Sequence, residues 1–392
     1  MSTIPYGRQW VDAEDRKAVE AVLVSDWLTQ GPAIPQFERA LCAYTGAKYA
    51  VTVANGTAAL HLAMVALDVK KGDRVLTSPI TFAASANCAL YAGARPDFID
   101  IDDRAYHMDL NRLKDYLKSP TRRKNVKTIV PVHFMGTVMD MKQLDAICAP
   151  YGIRIVEDAA HALGASYVDD QHNLRIGSCQ HSDAAIFSFH PIKHITTGEG
   201  GAVLTNNEKF YQSLLKLRHH GIVKNSKAVS RPLKPYCDEP WFYDIPQVGY
   251  NFRLSDIHSA LGLSQLRKID LFVERRREVV QRYSKAFAAI KEIHLPYERP
   301  GTRAAYHLFV IRVPPSKRNA LYLFLKERNV TAQINYIPVH LFGMYQKLGF
   351  RAGDFPVAEK YFQECLSLPL YPLLSDKEQR KVIDTVLEFF KS

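Results

Sequence analysis

The 392-residue sequence predicts an α/β fold, with a largely parallel sheet covered by helices and a smaller C-terminal α+β domain. Over the first two thirds of the chain, short apolar runs typical of strands alternate with segments of helical periodicity. Such alternation is typical of a parallel sheet with helices on both faces. Further along, amphipathic helices prevail and strand-like runs become rare. We therefore expect a large domain over residues 1–250 and a small domain over residues 251–392.

The first expected helix covers residues 12–25, where apolar residues recur at helical spacing behind acidic residues of the first turn. A strand over residues 48–54 leads directly into a helix over residues 55–67. Helix-length segments separate most of the strands that follow. These further strands are expected at residues 73–82, 94–102, 126–134, 153–159, 183–189 and 201–207.

A stretch rich in Pro, Ser and Lys over residues 224–242 predicts a long surface loop before the small domain. Beyond it, residues 271–290 predict a long amphipathic helix, and strands are expected at residues 307–313 and 329–337. In sheets of this kind, ligands bind beyond the carboxyl ends of the parallel strands. Polar motifs that follow a strand are therefore the candidates for a functional site.

The composition excludes several classes of protein. A formal net charge of +11 allows an anionic ligand, but the basic residues are mixed with acids. The short basic runs 122–124 and 275–277 are more typical of solvated faces than of a nucleic-acid patch. Six scattered cysteines form no C-x-x-C pair and indicate reduced core thiols rather than a metal site. No apolar stretch approaches the ~18 residues of a membrane helix, so we expect a cytoplasmic protein.

Three short motifs follow predicted strands. Asn55, Gly56 and Thr57 open a helix, and a helix N-terminus with free N–H groups is a natural phosphate site, although the same residues suit an ordinary turn. Asp158 ends an apolar strand beside Glu157, where a carboxylate could accept a hydrogen bond from a cationic nitrogen. Equally, such an acid could simply favour the next helix N-terminus.

The third motif, SFHPIKHITTGEGG, begins with Ser188 at a strand end and contains Lys193 before a glycine-rich turn. A lysine acts as a nucleophile only when its amine is deprotonated, which burial or a neighbouring cation can achieve. A single lysine is more often a surface charge. Taken together, however, a phosphate cradle, a carboxylate and a lysine at successive strand ends match the phosphate, pyridine nitrogen and aldehyde of pyridoxal phosphate.

The chain also resembles a known family, the DegT/StrS-type sugar aminotransferases of the fold-type I pyridoxal phosphate enzymes. The resemblance spans nearly the whole sequence and includes LTQGP, NGTAALHLA, PVHFMG, EDAAHALGA, SFHPIKHITTGEGGAV, RHHGI and GYNFRLSDIHSALGLSQL. Within the family it is similar to the branch that transaminates a UDP-4-keto-6-deoxy sugar for pseudaminic acid synthesis. The resemblance implies a fold-type I enzyme with pyridoxal 5'-phosphate as its cofactor and no metal.

Several residue roles are implied by this resemblance. Lys193 would form the Schiff base with the cofactor and then carry the proton between the cofactor and the sugar carbon, while Asp158 would pair with the pyridine nitrogen. The other implied cofactor contacts are Gly56, Thr57 and Ser188 at the phosphate, Phe82 stacked on the ring, His161 beside the ring, and Asn251 reaching the phosphate from the neighbouring subunit. This last contact implies a homodimer with shared active sites.

The resemblance also implies contacts to a sugar nucleotide. The residues concerned are Tyr6, Asp26, Trp27, Leu28, Thr29, Gly56, Ser188, Asn251, Asn335, Tyr336, Ile337 and Pro338. Two positions depart from the family pattern. Asn335 stands where histidine is common, and the pair Asp26-Trp27 stands where a basic or polar pair is expected.

The sequence therefore predicts a transaminase that moves an amino group from L-glutamate to the C4 ketone of a UDP-linked 4-keto-6-deoxy-N-acetylhexosamine. The nearest alternative is a transaminase for another nucleotide-linked 3- or 4-ketosugar. A related branch of dehydratases lacks the lysine, and Lys193 argues against it. A DNA-binding regulator is disfavoured, because there is no helix-turn-helix pattern and no concentrated basic stripe. We expect no nucleic-acid partner and no membrane association.

Overall fold

The computed structural model describes residues 3–224 and 231–391 of the chain. Its strands are β1 (Tyr49–Val53), β2 (Arg74–Thr77), β3 (Arg95–Phe98), β4 (Val126–Val130), β5 (Arg154–Asp158), β6 (Ser166–Asp169), β7 (His172–Arg175), β8 (Ala184–Ser188), β9 (Gly201–Thr205), β10 (Thr302–Arg303), β11 (Phe309–Arg312) and β12 (Cys365–Leu368). The strands predicted in the large domain all form, although most are shorter than their apolar runs.

The helices lie between and around these strands. They are α1 (Ala13–Leu23), α2 (Ala33–Thr45), α3 (Gly56–Ala66), α4 (Ala84–Tyr91), α5 (Leu110–Lys118), α6 (Pro120–Arg123), α7 (Met141–Cys148), α8 (Glu208–Arg218), α9 (Asp256–Leu266), α10 (Ile269–Phe287), α11 (Pro315–Glu327), α12 (Gly343–Gln346), α13 (Pro356–Glu364) and α14 (Asp376–Lys391). Within the predicted loop over 224–242, residues 231–236 form a 3-10 helix, and residues 225–230 lie outside the described part.

The main sheet has seven strands in the order β1-β9-β8-β5-β4-β2-β3. The neighbours from β3 to β8 pair in parallel, whereas β9 runs antiparallel to both β8 and β1. The predicted α/β architecture with a largely parallel sheet is confirmed. Because β1, β5 and β8 point the same way, the motifs that follow them meet at one edge of the sheet.

Helices cover both faces of this sheet and bury its apolar side chains. On one face, α3 and α8 pack over β1, β8 and β9, and their contact region contains fully buried residues such as Leu62, Met64 and Leu214. On the other face, α2 and α10 contribute Phe37, Leu41 and other side chains to a second buried cluster. The core therefore holds the strand ends rigidly and exposes them at the carboxyl edge.

The C-terminal part contains its own buried cluster, built from α10, α11, α14 and the two-stranded sheet of β11 and β12. The strand expected over residues 329–337 does not form; Val330 and Gln333 make only isolated bridges, to Ile4 and Ser367. In addition, α9 packs mainly against α1 and α2 of the N-terminal part. The division at residue 250 stays a prediction.

Candidate active site

A cavity of about 870 Å³ opens at the carboxyl ends of β1, β5 and β8. Its size suits a ligand larger than a simple metabolite. The expected site residues that line it are Tyr6, Gly56, Thr57, Phe82, Asp158, His161, Ser188, Lys193, Asn335 and Tyr336. Residues from both the N-terminal sheet and the C-terminal part thus contribute to one cavity.

The start of α3 forms a tight turn against the sheet. Asn55 is the N-cap residue, and its side-chain oxygen accepts a hydrogen bond of 2.8 Å from the backbone N–H of Ala58. Gly56 and Gly201 allow this turn to approach the strands closely: a Cβ on Gly56 would lie 3.0 Å from the Cβ of Ser188. One on Gly201 would lie 2.6 Å from the Asn55 carbonyl. Free N–H groups at this helix N-terminus could therefore hold an anion.

Asp158, at the end of β5, is buried and is oriented by two donors. The hydroxyl of Ser85 donates to Oδ2 at 2.5 Å, and the backbone N–H of Ala160 donates to Oδ1 at 3.1 Å. Ser85 in turn lies 2.6 Å from the hydroxyl oxygen of Thr81. The sequence reasoning did not identify Ser85 or Thr81. Glu157 points elsewhere and accepts hydrogen bonds from His133 and Ser182.

Lys193 lies in the turn after β8, where its backbone N–H donates to the carbonyl of His190 at 2.9 Å. Its side chain is half-buried and reaches the cavity. Burial lowers the pKa of Lys193 to about 8, although the Asp158 carboxylate raises this pKa and Arg276 lowers it further. A substantial fraction of the amine is therefore neutral near physiological pH, as nucleophilic attack on an aldehyde requires.

His161 and Phe82 both line the cavity. Burial holds the pKa of His161 well below its usual range, with Lys193 and His194 acting in the same direction, so the imidazole is neutral. Its Nε2 lies 3.3 Å from the hydroxyl of Tyr336, while its buried Nδ1 has no partner among the described residues. Phe82 is 62% exposed, which leaves its ring face available to a flat ligand.

The segment that contains Asn335 and Tyr336 closes another side of the cavity. Tyr6 donates a hydrogen bond of 3.2 Å to Oδ1 of Asn335, and Tyr361 donates one of 2.9 Å to its backbone oxygen. The next two expected substrate contacts, Ile337 and Pro338, do not line the cavity. Polar and aromatic residues that also line it, and that the sequence reasoning missed, include His61, Tyr91, His190, Glu199 and Gln333.

Two expected site regions lie away from this cavity within one chain. Asp26, Trp27, Leu28 and Thr29 form an exposed turn between α1 and α2, and Asn251 is exposed in a bridge with His219. Trp27 is 55% and Leu28 is 48% exposed, although both are apolar. Their assignment to an active site depends on a second chain and stays a prediction.

The residues at the cavity fit pyridoxal phosphate. The glycine-lined helix N-terminus suits its phosphate, because only glycine leaves the backbone N–H groups accessible there. The carboxylate of Asp158 suits its pyridine nitrogen, and the amine of Lys193 suits its aldehyde. Fold and cavity together therefore place the chain among the fold-type I enzymes that use this cofactor to move amino groups.

Comparison with known proteins agrees. The chain belongs to the DegT/DnrJ/EryC1/StrS aminotransferase family, which it matches over residues 9–387. Aminotransferases of this family use pyridoxal phosphate.

The chain is 37% identical to the spore coat polysaccharide biosynthesis protein SpsC of Bacillus subtilis, covering 99% of this chain and 97% of that protein. It is 35% identical to the UDP-4-amino-4,6-dideoxy-N-acetyl-beta-L-altrosamine transaminase of Campylobacter jejuni, covering 99% and 98%. Among solved structures, Helicobacter pylori PseC, an aminotransferase involved in the biosynthesis of pseudoaminic acid, is similar with a TM-score of 0.89, 29% identity and 100% of each chain covered.

Proposed function

We propose that this sugar aminotransferase moves an amino group from L-glutamate to the C4 ketone of a UDP-4-keto-6-deoxy-N-acetylhexosamine. The observation that carries the proposal is the 35% identity, over 99% of the chain, to a transaminase named for a UDP-linked 4-amino-4,6-dideoxy sugar. The large cavity beside Lys193 supports it, since a nucleotide sugar must fit next to the cofactor. We further propose that this sugar belongs to pseudaminic acid synthesis.

The cofactor, when bound, supplies an electron sink that stabilises negative charge on the reacting carbon. Lys193 would hold the cofactor aldehyde through its neutral amine. The same amine would serve as the base that takes a proton from one carbon and returns it to the other. Burial keeps this amine partly deprotonated, so it can act as a base.

Asp158 would hold the pyridine nitrogen in its protonated form. Ser85 and the backbone of Ala160 fix the two carboxylate oxygens, so the carboxylate plane is set in the protein itself. Phe82 would exclude water from the cofactor ring. Gly56, Thr57 and Ser188 would hold the phosphate, and the uncharged His161 would add no competing charge.

The substrate proposal is tested by product analysis. The purified enzyme is incubated with L-glutamate and candidate UDP-linked 3- and 4-ketosugars, and the products are identified by NMR. The 4-keto-6-deoxy-N-acetylhexosamine should give a 4-amino sugar and one equivalent of 2-oxoglutarate. Amination at C3, or turnover only with a different nucleotide sugar, would establish the alternative substrate class, which the similarity to SpsC keeps open.

We also propose that the enzyme is a homodimer in which Asn251 and residues 26–29 reach the active site of the partner. In one chain these residues are exposed and lie outside the cavity, and the turn carries the exposed side chains of Trp27 and Leu28. The six cysteines are free thiols, which supports a reducing compartment, and we propose the cytoplasm.

Mixed dimers test the shared site. Lys193→Ala and Asn251→Ala chains are each expected to be impaired, because Asn251 gives the phosphate a donor worth about 1.5–3 kcal/mol. A heterodimer of the two would carry both lesions in one site and neither in the other. Co-refolding should restore up to about half of the native activity per heterodimer. If heterodimers form but regain no activity, Asn251 acts in the active site of its own chain and not in that of the partner.

A further inference from the structure

Arg276 is the middle residue of three consecutive arginines on α10, a run whose composition indicated a solvated face. That expectation is wrong for Arg276, whose side chain is only 1% exposed. Arg276 lies on the same face of the helix as the residues three and four positions away. Because that face is buried, its side chain points into the core. These neighbours are the buried Phe272, Val273, Val279 and Val280.

The guanidinium of Arg276 has no carboxylate partner among the described residues. Its Nη1 donates to the backbone carbonyls of Tyr306 and His307 at 3.3 Å and of Leu370 at 3.1 Å. Its Nε has no hydrogen-bond partner in the same part of the chain. A buried cation that is held by carbonyls alone is costly, since no counter-charge offsets its desolvation.

The two arginines that flank Arg276, in contrast, are paired with carboxylates. Arg275 pairs with Glu278 and Asp376, and Arg277 pairs with Glu298. The missing counter-charge is therefore particular to the middle position and is not a property of the run. A charge kept buried and uncompensated must act on something nearby.

The buried rings of His161, His194 and His307 form one layer, and Arg276 donates to the backbone carbonyl of His307. His194, next to Lys193 in the chain, has its Nε2 3.2 Å from the carbonyl oxygen of Ala305, directly before the residues that bind Arg276. The ring of His307 lies 5.9 Å from that of His194 and 4.2 Å from that of His161. Burial holds the pKa of all three imidazoles well below the usual range, so the layer carries no charge.

Two fixed charges act on the amine of Lys193, those of Asp158 and Arg276. The titratable and charged groups around it are Tyr6, Asp158, His161, His194, Arg276 and His307. After burial, the largest effects on the pKa of Lys193 are those of Asp158, which raises it, and Arg276, which lowers it. The histidines are neutral, and burial keeps the pKa of the Tyr6 hydroxyl above its usual value, so neither adds charge near pH 7.

We propose that Arg276 is a positioning residue whose uncompensated positive charge offsets the Asp158 carboxylate and keeps a fraction of the Lys193 amine neutral, without touching substrate or cofactor. The proposal rests on the function proposed for Lys193 but not on the identity of the sugar. Removal of the charge should leave the fold intact, since the loss of an unpaired buried cation relieves its desolvation.

The test measures the amine itself in the full chain without cofactor. Lys193 is acetylated competitively with acetic anhydride at a series of pH values, and its modification is quantified by peptide mass spectrometry. Arg276→Gln removes the charge but keeps a donor for the backbone carbonyls. At pH 7 its Lys193 should react up to about tenfold more slowly than that of the wild type, because a nearby like charge lowers the pKa of an amine by up to about one unit.

Two controls separate the electrostatic effect from a structural one. Arg276→Lys keeps the charge, so the pH dependence of Lys193 acetylation should match that of the wild type. Arg277→Gln removes a cation from the adjacent position of the same helix and should leave the profile unchanged, because Arg277 is balanced by Glu298. A folded Arg276→Gln protein with the wild-type profile, or an equal shift in Arg277→Gln, would overturn the proposal.

Arg276→Met serves as the neutral variant if the glutamine variant does not fold. If the sugar assay fails but the neutral variant still labels more slowly than the wild type, the proposed substrate is rejected and this inference holds. Normal sugar turnover in the wild type, with no labelling difference in the neutral variant, would reject the inference alone. The two proposals therefore fail separately.

Discussion

Substitution of Gly201 by alanine should disrupt the phosphate cradle. Gly201 starts β9 directly against the turn at the head of α3. A Cβ on Gly201 would lie 2.6 Å from both the carbonyl carbon and oxygen of Asn55, and 2.8 Å from the nitrogen of Gly56. Ordinary Cβ contacts begin at 3.4 Å, so the turn must retreat by the difference between 3.4 and 2.6 Å, or 0.8 Å.

The retreat involves backbone, which cannot rotate away as a side chain can. Overpacking of this kind costs about 1–3 kcal/mol. It also moves the N–H groups of the turn from hydrogen-bond distance, about 2.9 Å, past the range in which such bonds are effective. If one charge-assisted bond to the phosphate is lost, about 1.5–3 kcal/mol of binding is lost with it. The dissociation constant of the cofactor should therefore rise at least about tenfold.

The assay compares melting temperature with cofactor affinity, which is measured by equilibrium titration of the cofactor-free protein. Gly343→Ala is the control: Gly343 also begins a secondary-structure element, the helix α12, but among the described residues Gly343 has no atom within 4 Å of the point that its Cβ would occupy. This control should bind the cofactor normally and gain about 0.4–1 kcal/mol of stability. An affinity of Gly201→Ala within twofold of wild type would refute the reasoning.

Four further predictions concern the carboxylate and the lysine. Borohydride treatment of the yellow holoenzyme should fix the cofactor on Lys193, and a tryptic map that shows the label on another residue would contradict its role. Asp158→Asn should keep the fold but lose most single-turnover activity, since an amide cannot hold the pyridine nitrogen protonated; near-normal rates would exclude that role. Ser85→Ala should weaken cofactor binding by up to about 1.5–3 kcal/mol, and Ser85→Thr should recover most of it, as titration would show. The rate of cofactor attachment to the free protein should rise with pH around a midpoint of about 8, as Lys193 loses its proton, and a flat stopped-flow profile would argue against a titrating lysine.

Much of the fold and the centre of the site could be predicted from the sequence. Strand periodicity and the order of motifs placed Gly56, Asp158 and Lys193 at strand ends. Because parallel strands end at the same edge, the three motifs had to meet there. The prediction depended on local pattern and on one rule of topology, and both hold in this sheet.

Contacts made through tertiary packing could not be predicted in this way. Ser85 reaches Asp158 from α4, across 73 positions of sequence, and nothing in its local pattern sets it apart. The strand expected over residues 329–337 fails because its alternation finds no continuous partner, only isolated bridges. The burial of Arg276 could have been predicted, since the residues three and four positions away on the helix are apolar. The run of three arginines instead suggested a solvated face, and the apolar periodicity around it was overlooked.

The site must satisfy two electrostatic demands that oppose each other. Asp158 has to be negative to hold a protonated pyridine nitrogen, yet that same charge favours the protonated form of Lys193, which cannot attack an aldehyde. Burial alone would lower the pKa of Lys193 but would also disfavour a charged Asp158. Hydrogen bonds from Ser85 and Ala160 stabilise the carboxylate without affecting the lysine directly. A fixed cation offsets the effect of Asp158 on the lysine, because the positive charge of Arg276 lowers the pKa of the Lys193 amine.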